Sequence, residues 1–426
     1  MLTVGSIIYG TALDLDYLGQ GVVKMDGYVI FVKGLLKDEY AEIIITQIKK
    51  KFAEGKVLKL IQKSPDRVFD THILGSLDLY HLSLEKQLMW QRQITEDTVK
   101  KISQLDLKVE EVITDMKDTY YRNKSVFHVI SKPYLELGLY STDHKLVPTH
   151  SLVIAGKKTN ELLKLVNQAH LTIERDVLNH IAFRENDLNE VLVTLVASKD
   201  TFEGLSDIIS LLSKDEKVVG MTLNIKSSDY RILGEKSYTL YGENRIMMPL
   251  KDSKIAIDDL SFYQVNTSMM QKTYALIQSM IKPNKHIIDA YAGVGSIGYY
   301  LSDMASKISM IESSKASHEK AKAYKDIHHL EHVDLYLEPS ELCIKKVEGD
   351  IIIIDPPRQG LHHDMALFLK NHRYEQIIYL SCDVKTLARD LNILKESYDI
   401  KKVYPIRMFF HTTELETLTL LEPKAI

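Results

Sequence analysis

The sequence predicts an α/β chain in three parts: a small N-terminal β-barrel over residues 1–60, a central α+β region over 61–250, and a Rossmann-like parallel sheet over 251–426. Three observations carry that expectation. Short apolar–polar alternations punctuated by glycine crowd the N-terminal segment, and apolar runs alternate with helical stretches after residue 251. One run, Ile351-Ile-Ile-Ile354, is apolar at every position, as a strand buried on both faces must be.

In the N-terminal segment, Ser6-Ile-Ile-Tyr9, Gly21-Val-Val-Lys24, Tyr28-Val-Ile-Phe-Val32 and Glu42-Ile-Ile-Ile-Thr46 read as strands. Gly19-Gln-Gly21, Asp26-Gly27 and Gly34 mark turns, the Asp-Gly pair being a hairpin signal. Strands so short and so closely spaced favour a small barrel. The last one runs out into Lys49-Lys50-Lys51, with Lys56, Lys59 and Lys63 close behind. Such a cluster can bind phosphates; it is equally what a solvated face looks like.

The middle of the chain is mixed. Leu82 to Leu107 carries apolar residues at helical spacing, Trp90 among them. Tyr120-Tyr121-Arg122-Asn123-Lys124 interleaves aromatics with cations, a pattern suited to stacking and phosphate contacts on an unpaired RNA strand, or to a plain basic surface loop. A strand is expected at Ser125 to Ile130, and helices over Asn160 to Ala169 and Asp200 to Leu212 alternate with strands at Glu190 to Ala197 and Met221 to Ile225.

The C-terminal part holds the chemistry. The isoleucine strand ends at Asp355-Pro-Pro-Arg358, and a second apolar strand, Gln376 to Leu380, leads to Ser381-Cys382-Asp383. Both deliver reactive groups to the carboxyl edge of a parallel sheet, where open α/β folds bind ligands. His286-Ile-Ile-Asp289-Ala-Tyr291-Ala-Gly293-Val-Gly295 is a strand followed by a glycine-rich turn into a helix, and Lys307 to Ile311 is a strand ending at Glu312, the position from which an acid reaches a ribose. A dinucleotide and S-adenosylmethionine both suit that geometry. The nucleophilic cysteine beside it favours S-adenosylmethionine.

Composition sets the outer limits. Two cysteines, Cys343 and Cys382, neither in a Cys-x-x-Cys pair, exclude a disulfide framework and a cysteine-rich metal site. The apolar runs fall short of the ~18 residues a membrane span needs. The N-terminus lacks the basic and apolar regions of a signal peptide, so the cytoplasm is the expected compartment. With a net charge of −4, a polyanionic partner must be held by local basic patches.

Two resemblances sharpen these readings. Tyr17-Leu-Gly-Gln-Gly21-Val-Val-Lys-Met-Asp26-Gly27, followed by Phe31-Val-Lys-Gly34, resembles the TRAM module, a small RNA-binding barrel that commonly precedes RNA-modifying enzymes. In order along the last third, Phe262-Tyr-Gln264-Val-Asn266, the Asp289 to Gly295 turn, Glu312, Asp355-Pro-Pro-Arg358, Ser381-Cys382-Asp383-Val-Lys-Thr386-Leu-Ala-Arg389-Asp390 and Met408-Phe-Phe-His411-Thr-Thr-Glu414-Leu-Glu416 resemble the RNA (uracil-5-)-methyltransferase family. The resemblance implies an S-adenosylmethionine-dependent enzyme with Cys382 as nucleophile and Glu416 as general base. Gln264, Tyr291, Glu312 and Asp355 would hold the cofactor, and Arg358 would order the site; Tyr121, Arg122 and Lys124, from the aromatic and cationic run read above, would support the substrate or the active site.

The chain departs from that family in places. Relatives often carry an iron–sulfur cluster, but Leu74-Gly75-Ser76-Leu77 places leucines where thiolates would stand, so neither cluster nor other metal is expected. Phe410 replaces a proline, and Glu414 replaces a histidine, which leaves Glu414 as a second possible base. Leu335-Tyr-Leu-Glu338 replaces the usual adenine contact, which stays unassigned. The TRAM-like segment favours ribosomal over transfer RNA as the substrate of a monomeric enzyme. The alternatives are a transfer-RNA enzyme, a cytosine-C5 methyltransferase, and a non-catalytic RNA-binding or assembly factor; a nicotinamide oxidoreductase is the most remote.

Overall fold

The computed structural model describes residues 2–25, 27–70, 74–131, 133–226 and 231–425. The N-terminal strands are β1 (Ile7–Thr11), β2 (Asp14–Leu15), β3 (Gly21–Met25), β4 (Tyr28–Lys33), β5 (Tyr40–Ile48) and β6 (Phe52–Gln62), in the order β1-β5-β6-β4-β3-β2. The sheet curls until its first strand meets its third: a Cβ on Gly10 would lie 2.6 Å from Val23 Cγ1, so no larger residue fits there. Alternate residues, Ile43 and Ile45 on β5 and Ile30 and Val32 on β4, fill the interior. The lysine run does not end this unit. Lys49–Lys51 is a turn, and the chain returns as β6, a strand that the sequence hid behind Gly55 and its alternating charges. Of the expected Asp26-Gly27 turn, Asp26 lies outside the described residues; Gly27 has the positive φ such a turn demands.

Helix α1 (Leu84–Ser103) fits within the expected span and stops where Gln104 turns left-handed. The central strands follow: β7 (Lys124–Ser131), β8 (Leu135–Tyr140), β9 (Leu146–Pro148), β10 (Leu178–Glu185), β11 (Val191–Ala197), β12 (Val218–Ile225) and β13 (Lys236–Gly242). Helices α2 (Lys157–Gln168) and α3 (Leu205–Leu212) lie between them, and the sheet order is β13-β12-β11-β10-β7-β8-β9. Helix α3 starts later than periodicity predicts, after Gly204 turns left-handed against the Thr172 carbonyl. A hairpin, β14 (Arg245–Leu250) and β15 (Ser253–Asp258), leads to α4 (Thr267–Met280).

The C-terminal elements are β16 (His286–Ala290), α5 (Ser296–Tyr300), β17 (Lys307–Glu312), α6 (Lys315–Ile327), β18 (Val333–Leu337), α7 (Ser340–Cys343), β19 (Ile351–Ile354), α8 (His363–Asn371), β20 (Gln376–Ser381), α9 (Val384–Leu394), β21 (Tyr398–Ile406) and β22 (Glu416–Pro423). Their order is β18-β17-β16-β19-β20-β22-β21, with β22 antiparallel to both neighbours. The isoleucines of β19 are buried without exception, as their run predicted. Each contributes about 1.5–3 kcal/mol relative to exposure, which anchors a strand whose far end carries uncomfortable charge.

The parts meet in an apolar seam. Leu36 of the N-terminal unit, Leu79, Leu82 and Trp90 around α1, and Val384, Ala388 and Leu415 near the sheet edge form one cluster. Trp90 Nε1 donates to Asp16 O at 3.0 Å, and Lys395 Nζ at the end of α9 donates to Ser103 O at 2.7 Å. Helix α1 thus backs α9 and braces the edge where Cys382 lies.

The N-terminal unit is tied down by a buried ion pair. Arg67 donates Nε and Nη2 to the Glu39 carboxylate at 2.6 and 2.7 Å, and both side chains are almost wholly shielded. Removing one partner of such a pair strands the other. Arg67→Ala is expected to destabilise this unit by about 3–5 kcal/mol, read as a lowered urea midpoint for the fluorescence of Trp90, which touches the unit through Asp16.

Candidate active site

Three strand ends converge at the carboxyl edge of the C-terminal sheet. Asp355 follows β19 directly, Cys382 follows β20, and Glu416 opens β22. Ser381 pairs with Thr417 in the antiparallel β20–β22 ladder, so Cys382 and Glu416 lie opposite each other one step further on. Ile354 pairs with Ala290 of β16 and with Tyr379 of β20, which sets Asp355 level with Tyr291 and with Leu380, two residues before Cys382.

The Ser-Cys-Asp-x-x-Thr-Leu-Ala-Arg-Asp run has a structural reason for each polar letter. Asp383 caps α9, its carboxylate accepting from the Lys385 and Thr386 amides at 2.8 and 3.0 Å. Thr386 Oγ1 donates to the Arg358 carbonyl at 3.3 Å. Arg389 donates to the Gln359 and Leu361 carbonyls at 3.0 and 3.2 Å. Asp390, wholly buried, accepts from Leu361 N at 2.9 Å and Tyr379 Oη at 2.7 Å, and Arg389 Nε reaches its second oxygen at 2.9 Å. Gly360 has a positive φ and sits so close to Arg389 and Asp390 that a Cβ would collide. Helix α9 therefore grips the Asp-Pro-Pro-Arg loop, which fixes Asp355 and Arg358 relative to Cys382. Sequence reading matched these letters without assigning Thr386, Arg389 or Asp390 a task.

Electrostatically the edge is crowded. Burial pushes the Asp355 carboxyl up to about 7. Glu416 is raised well above its usual value by burial and then by Asp355, with Arg358 opposing. The Cys382 thiol is pushed up to about 12, again by burial first, then by Glu416 and Asp355, against the pull of Arg358. The start of α9 beside it would favour a thiolate, but in the free protein desolvation and two carboxyls prevail. Burial and the neighbouring carboxyls thus hold both the thiol and Glu416 towards their neutral forms, and Arg358 pulls each of them back.

The last motif is braced from α1. Gln87 donates to the Leu79 and Leu82 carbonyls at 3.1 and 2.7 Å, while its Oε1 accepts from the His411 amide at 3.1 Å and from the buried Arg407 guanidinium. Phe410, in the proline's place, is fully buried and packs at 5.8 Å on the Tyr121 ring, whose hydroxyl donates to the Phe410 carbonyl. Glu414 Oε2 binds Arg358 Nη2 at 2.6 Å on the open side, whereas Glu416 is 2% exposed and faces inward.

The structure corrects the reading of Tyr121 and Lys124 as direct RNA contacts. Tyr121 is buried and cannot stack on a base; it supports the site from beneath. Lys124 Nζ donates to the Asp259 carbonyl, and burial, then Arg184, pushes its ammonium down to about 8. Arg122 is half-buried and near enough to Glu414 to feel its charge. The exposed aromatic of that segment is Tyr120.

Of the residues expected to hold S-adenosylmethionine, Tyr291, Glu312 and Asp355 lie at the carboxyl ends of neighbouring strands on the same edge. Glu312 Oε2 accepts from Gly293 N at 2.8 Å, and its other oxygen takes the Ser314 amide, which leaves lone pairs for two hydroxyls. A Cβ on Gly293 would meet nothing within 4 Å, so the turn opens onto free space. Tyr291 Oη and Asp289 Oδ1 are buried with no hydrogen-bond partner, two groups that a ligand could satisfy. Gln264 is buried just before Asn266, the cap of α4, and its carbonyl accepts from the Asn123 amide at 2.8 Å. The set fits the cofactor; Asp289 was not among the predicted ligands, though its orphaned oxygen and a carboxyl raised to about 7 mark it. Leu77 is buried in the central core, and Leu74 packs beside it. Among the described residues no cluster of His, Cys, Asp and Glu could hold a metal.

Fold and edge together define a class I-type methyltransferase sheet with an appended small β unit. The family model for tRNA (uracil-5-)-methyltransferase matches residues 83–424, and that for the TRAM domain matches residues 3–58. The chain belongs to the tRNA (uracil-5-)-methyltransferase family and is an S-adenosylmethionine-dependent RNA methyltransferase. It is 30% identical to an uncharacterized RNA methyltransferase of Clostridium tetani, over 95% of this chain and 93% of that one. A second, from Staphylococcus epidermidis, is 28% identical over 97% of each chain. In structure it resembles the Pyrococcus abyssi tRNA (uracil-54, C5)-methyltransferase bound to S-adenosyl-L-homocysteine, with a TM-score of 0.78, 24% identity, and 97% and 100% of the two chains covered.

The crowded edge has a thermodynamic signature. A carboxyl raised on folding binds more protons folded than unfolded, so its contribution to stability falls as pH rises through the window between the ordinary and raised values. Asp355→Asn removes that penalty. It is expected to gain on the order of 1–2 kcal/mol over the wild type at pH 8 and little at pH 4 in urea titrations.

Proposed function

We propose that the enzyme methylates C5 of uridine in RNA, most fittingly ribosomal RNA, through a covalent bond between Cys382 and uracil C6. The single observation that carries this is the facing of Cys382 and Glu416 across the β20–β22 ladder, with Asp355 and Arg358 held beside them. Uracil C5 is a poor nucleophile. Once the thiol proton has passed to a neighbouring carboxylate or to solvent, addition of the Cys382 thiolate to C6 converts the ring into an enolate, with the negative charge spread towards C5. When bound, S-adenosylmethionine supplies the electrophilic methyl group that C5 takes, together with a positive charge. Gln264, Tyr291, Glu312 and Asp355 would hold it, with Glu312 on the ribose hydroxyls. Glu416 then removes the C5 proton, and the electron pair expels the thiolate from C6. Glu414 is the weaker candidate for this base, since it is spent on Arg358 at the open side. Both faces of the ring are needed, so the base must leave its stack.

The TRAM domain supports an RNA substrate, and ribosomal RNA is the reading that the TRAM-like segment favours. Transfer RNA is the second reading, favoured by the Pyrococcus abyssi neighbour, whose substrate its name gives as uracil 54 of tRNA. A cytosine-C5 enzyme is less well supported: its cysteine would need an acid at N3, and Cys382 stands in a Ser-Cys-Asp setting.

Covalent chemistry is testable with 5-fluorouridine RNA, whose C5 has no proton to give up. A denaturation-resistant protein–RNA adduct is expected with the wild type, and none with Cys382→Ala. With ordinary uridine RNA, Glu416→Gln should slow turnover by about 10²–10⁴-fold and accumulate the methylated adduct. An adduct that survives Cys382→Ala would refute the assignment. Since leucines occupy the cluster positions, protein purified in air should contain far less than one iron per chain and keep its activity in chelators.

A further inference from the structure

Beside the catalytic edge, and separate from it, lies a recess of about 240 Å³ between the segment before β7, the β10–β11 turn and the first turn of α4. It shares walls with the active site. Arg122 bridges to Asn266, and the Asn266 amide donates to the Met408 carbonyl of the last motif at 3.2 Å. Asn123 donates to the Gln264 carbonyl and to Thr267 Oγ1 at 2.8 and 3.0 Å.

Three features of this recess lack an internal use. Asn123 is 7% exposed, and with both amide hydrogens committed its Oδ1 is left without a donor. A buried acceptor of this kind is costly unless something supplies a hydrogen. Arg122 spends Nε on the Lys124 carbonyl, and among the described residues its terminal nitrogens have no partner. Tyr120, half-exposed, holds a left-handed φ of 53° that an aromatic residue rarely adopts, which turns its ring out over the rim with Lys157 Nζ 5.6 Å from the centroid.

We propose that this recess is a second nucleotide subsite, which receives a nucleotide flanking the target uridine. Tyr120 stacks on its base, Asn123 Oδ1 accepts a ring or exocyclic N–H, and Arg122 and Lys117 take the neighbouring phosphate. Its volume suits a base and part of a sugar, and its shared wall places the occupant next in line to a base at Cys382. The subsite rests on the RNA reading of the active site and adds to it a second point of contact along the strand, an unpaired base whose ring or exocyclic N–H reaches Asn123 Oδ1. Such a site reads an unpaired strand, because stacking on Tyr120 and entry into the recess require a base released from the duplex stack.

The test uses fluorescein-labelled single-stranded RNA heptamers with a central 5-fluorouridine, in which each flanking position is A, C, G, U or an abasic ribose. Binding is followed by anisotropy with the wild type and with Tyr120→Ala/Lys117→Ala, and adduct formation on a denaturing gel. One flanking position is expected at which base removal weakens wild-type binding at least tenfold, and that penalty should vanish in the double variant. S-adenosylhomocysteine affinity, measured by calorimetry, should be unchanged in the variant, which shows that the fold is intact. A penalty that persists in the variant, or no penalty at any position, overturns the subsite. Adduct formation without flanking dependence would sink the subsite alone. Flanking dependence without adduct would leave the subsite and remove the chemistry.

Discussion

The interaction on which the site depends is the buried carboxylate of Asp390. It gathers the Leu361 amide, the Tyr379 hydroxyl and the Arg389 guanidinium, and so joins the loop after β19, the strand β20 and the helix α9. Without it Asp355 and Cys382 would sit on two independent loops, and catalytic geometry tolerates little looseness. The same logic extends outward. Helix α1 packs behind α9, and Gln87 from α1 fixes the backbone around His411, which leads into Glu414 and Glu416. One chain of buried polar contacts therefore sets all three reactive strand ends.

That rigidity allows an electrostatic arrangement that would not persist on a loose scaffold. Burial, more than any single neighbour, raises Cys382, Asp355 and Glu416 together. Burial favours the neutral forms of these groups, so a positive charge brought beside them would favour the thiolate and the carboxylates. Arg358 is the adjustable element: it is paired with Glu414 at the surface, yet lowers both Cys382 and Glu416. A substrate phosphate or base that draws Arg358 away from Glu414 would change the charge felt by the nucleophile.

Much of this was legible in the sequence because it depends on local pattern. The four isoleucines could only be a doubly covered strand, and the acid and cysteine that followed could only emerge at its carboxyl edge. What was not legible depends on pairing across the fold. The strand β6 was concealed because Gly55 and alternating lysines look like a loop until β4 and β5 flank them. Tyr121 looked like an RNA contact and is instead a buried support, since burial is decided by Phe410, nearly three hundred residues away. Asp289 and Asn123 stood inside runs already singled out, but nothing in the letters gave them a task; their unpartnered oxygens do. The roles of Thr386, Arg389 and Asp390 were present as letters and became physical only when the Asp-Pro-Pro-Arg loop was seen against α9.

The central claim is that this edge makes 5-methyluridine. Its most direct measurement is nucleoside mass spectrometry on unmodified ribosomal and transfer RNA, each incubated with enzyme and S-adenosylmethionine. The account predicts new 5-methyluridine in the ribosomal pool that disappears with Cys382→Ala. Methylation of cytidine instead, or 5-methyluridine that persists in the Cys382→Ala protein, would contradict it.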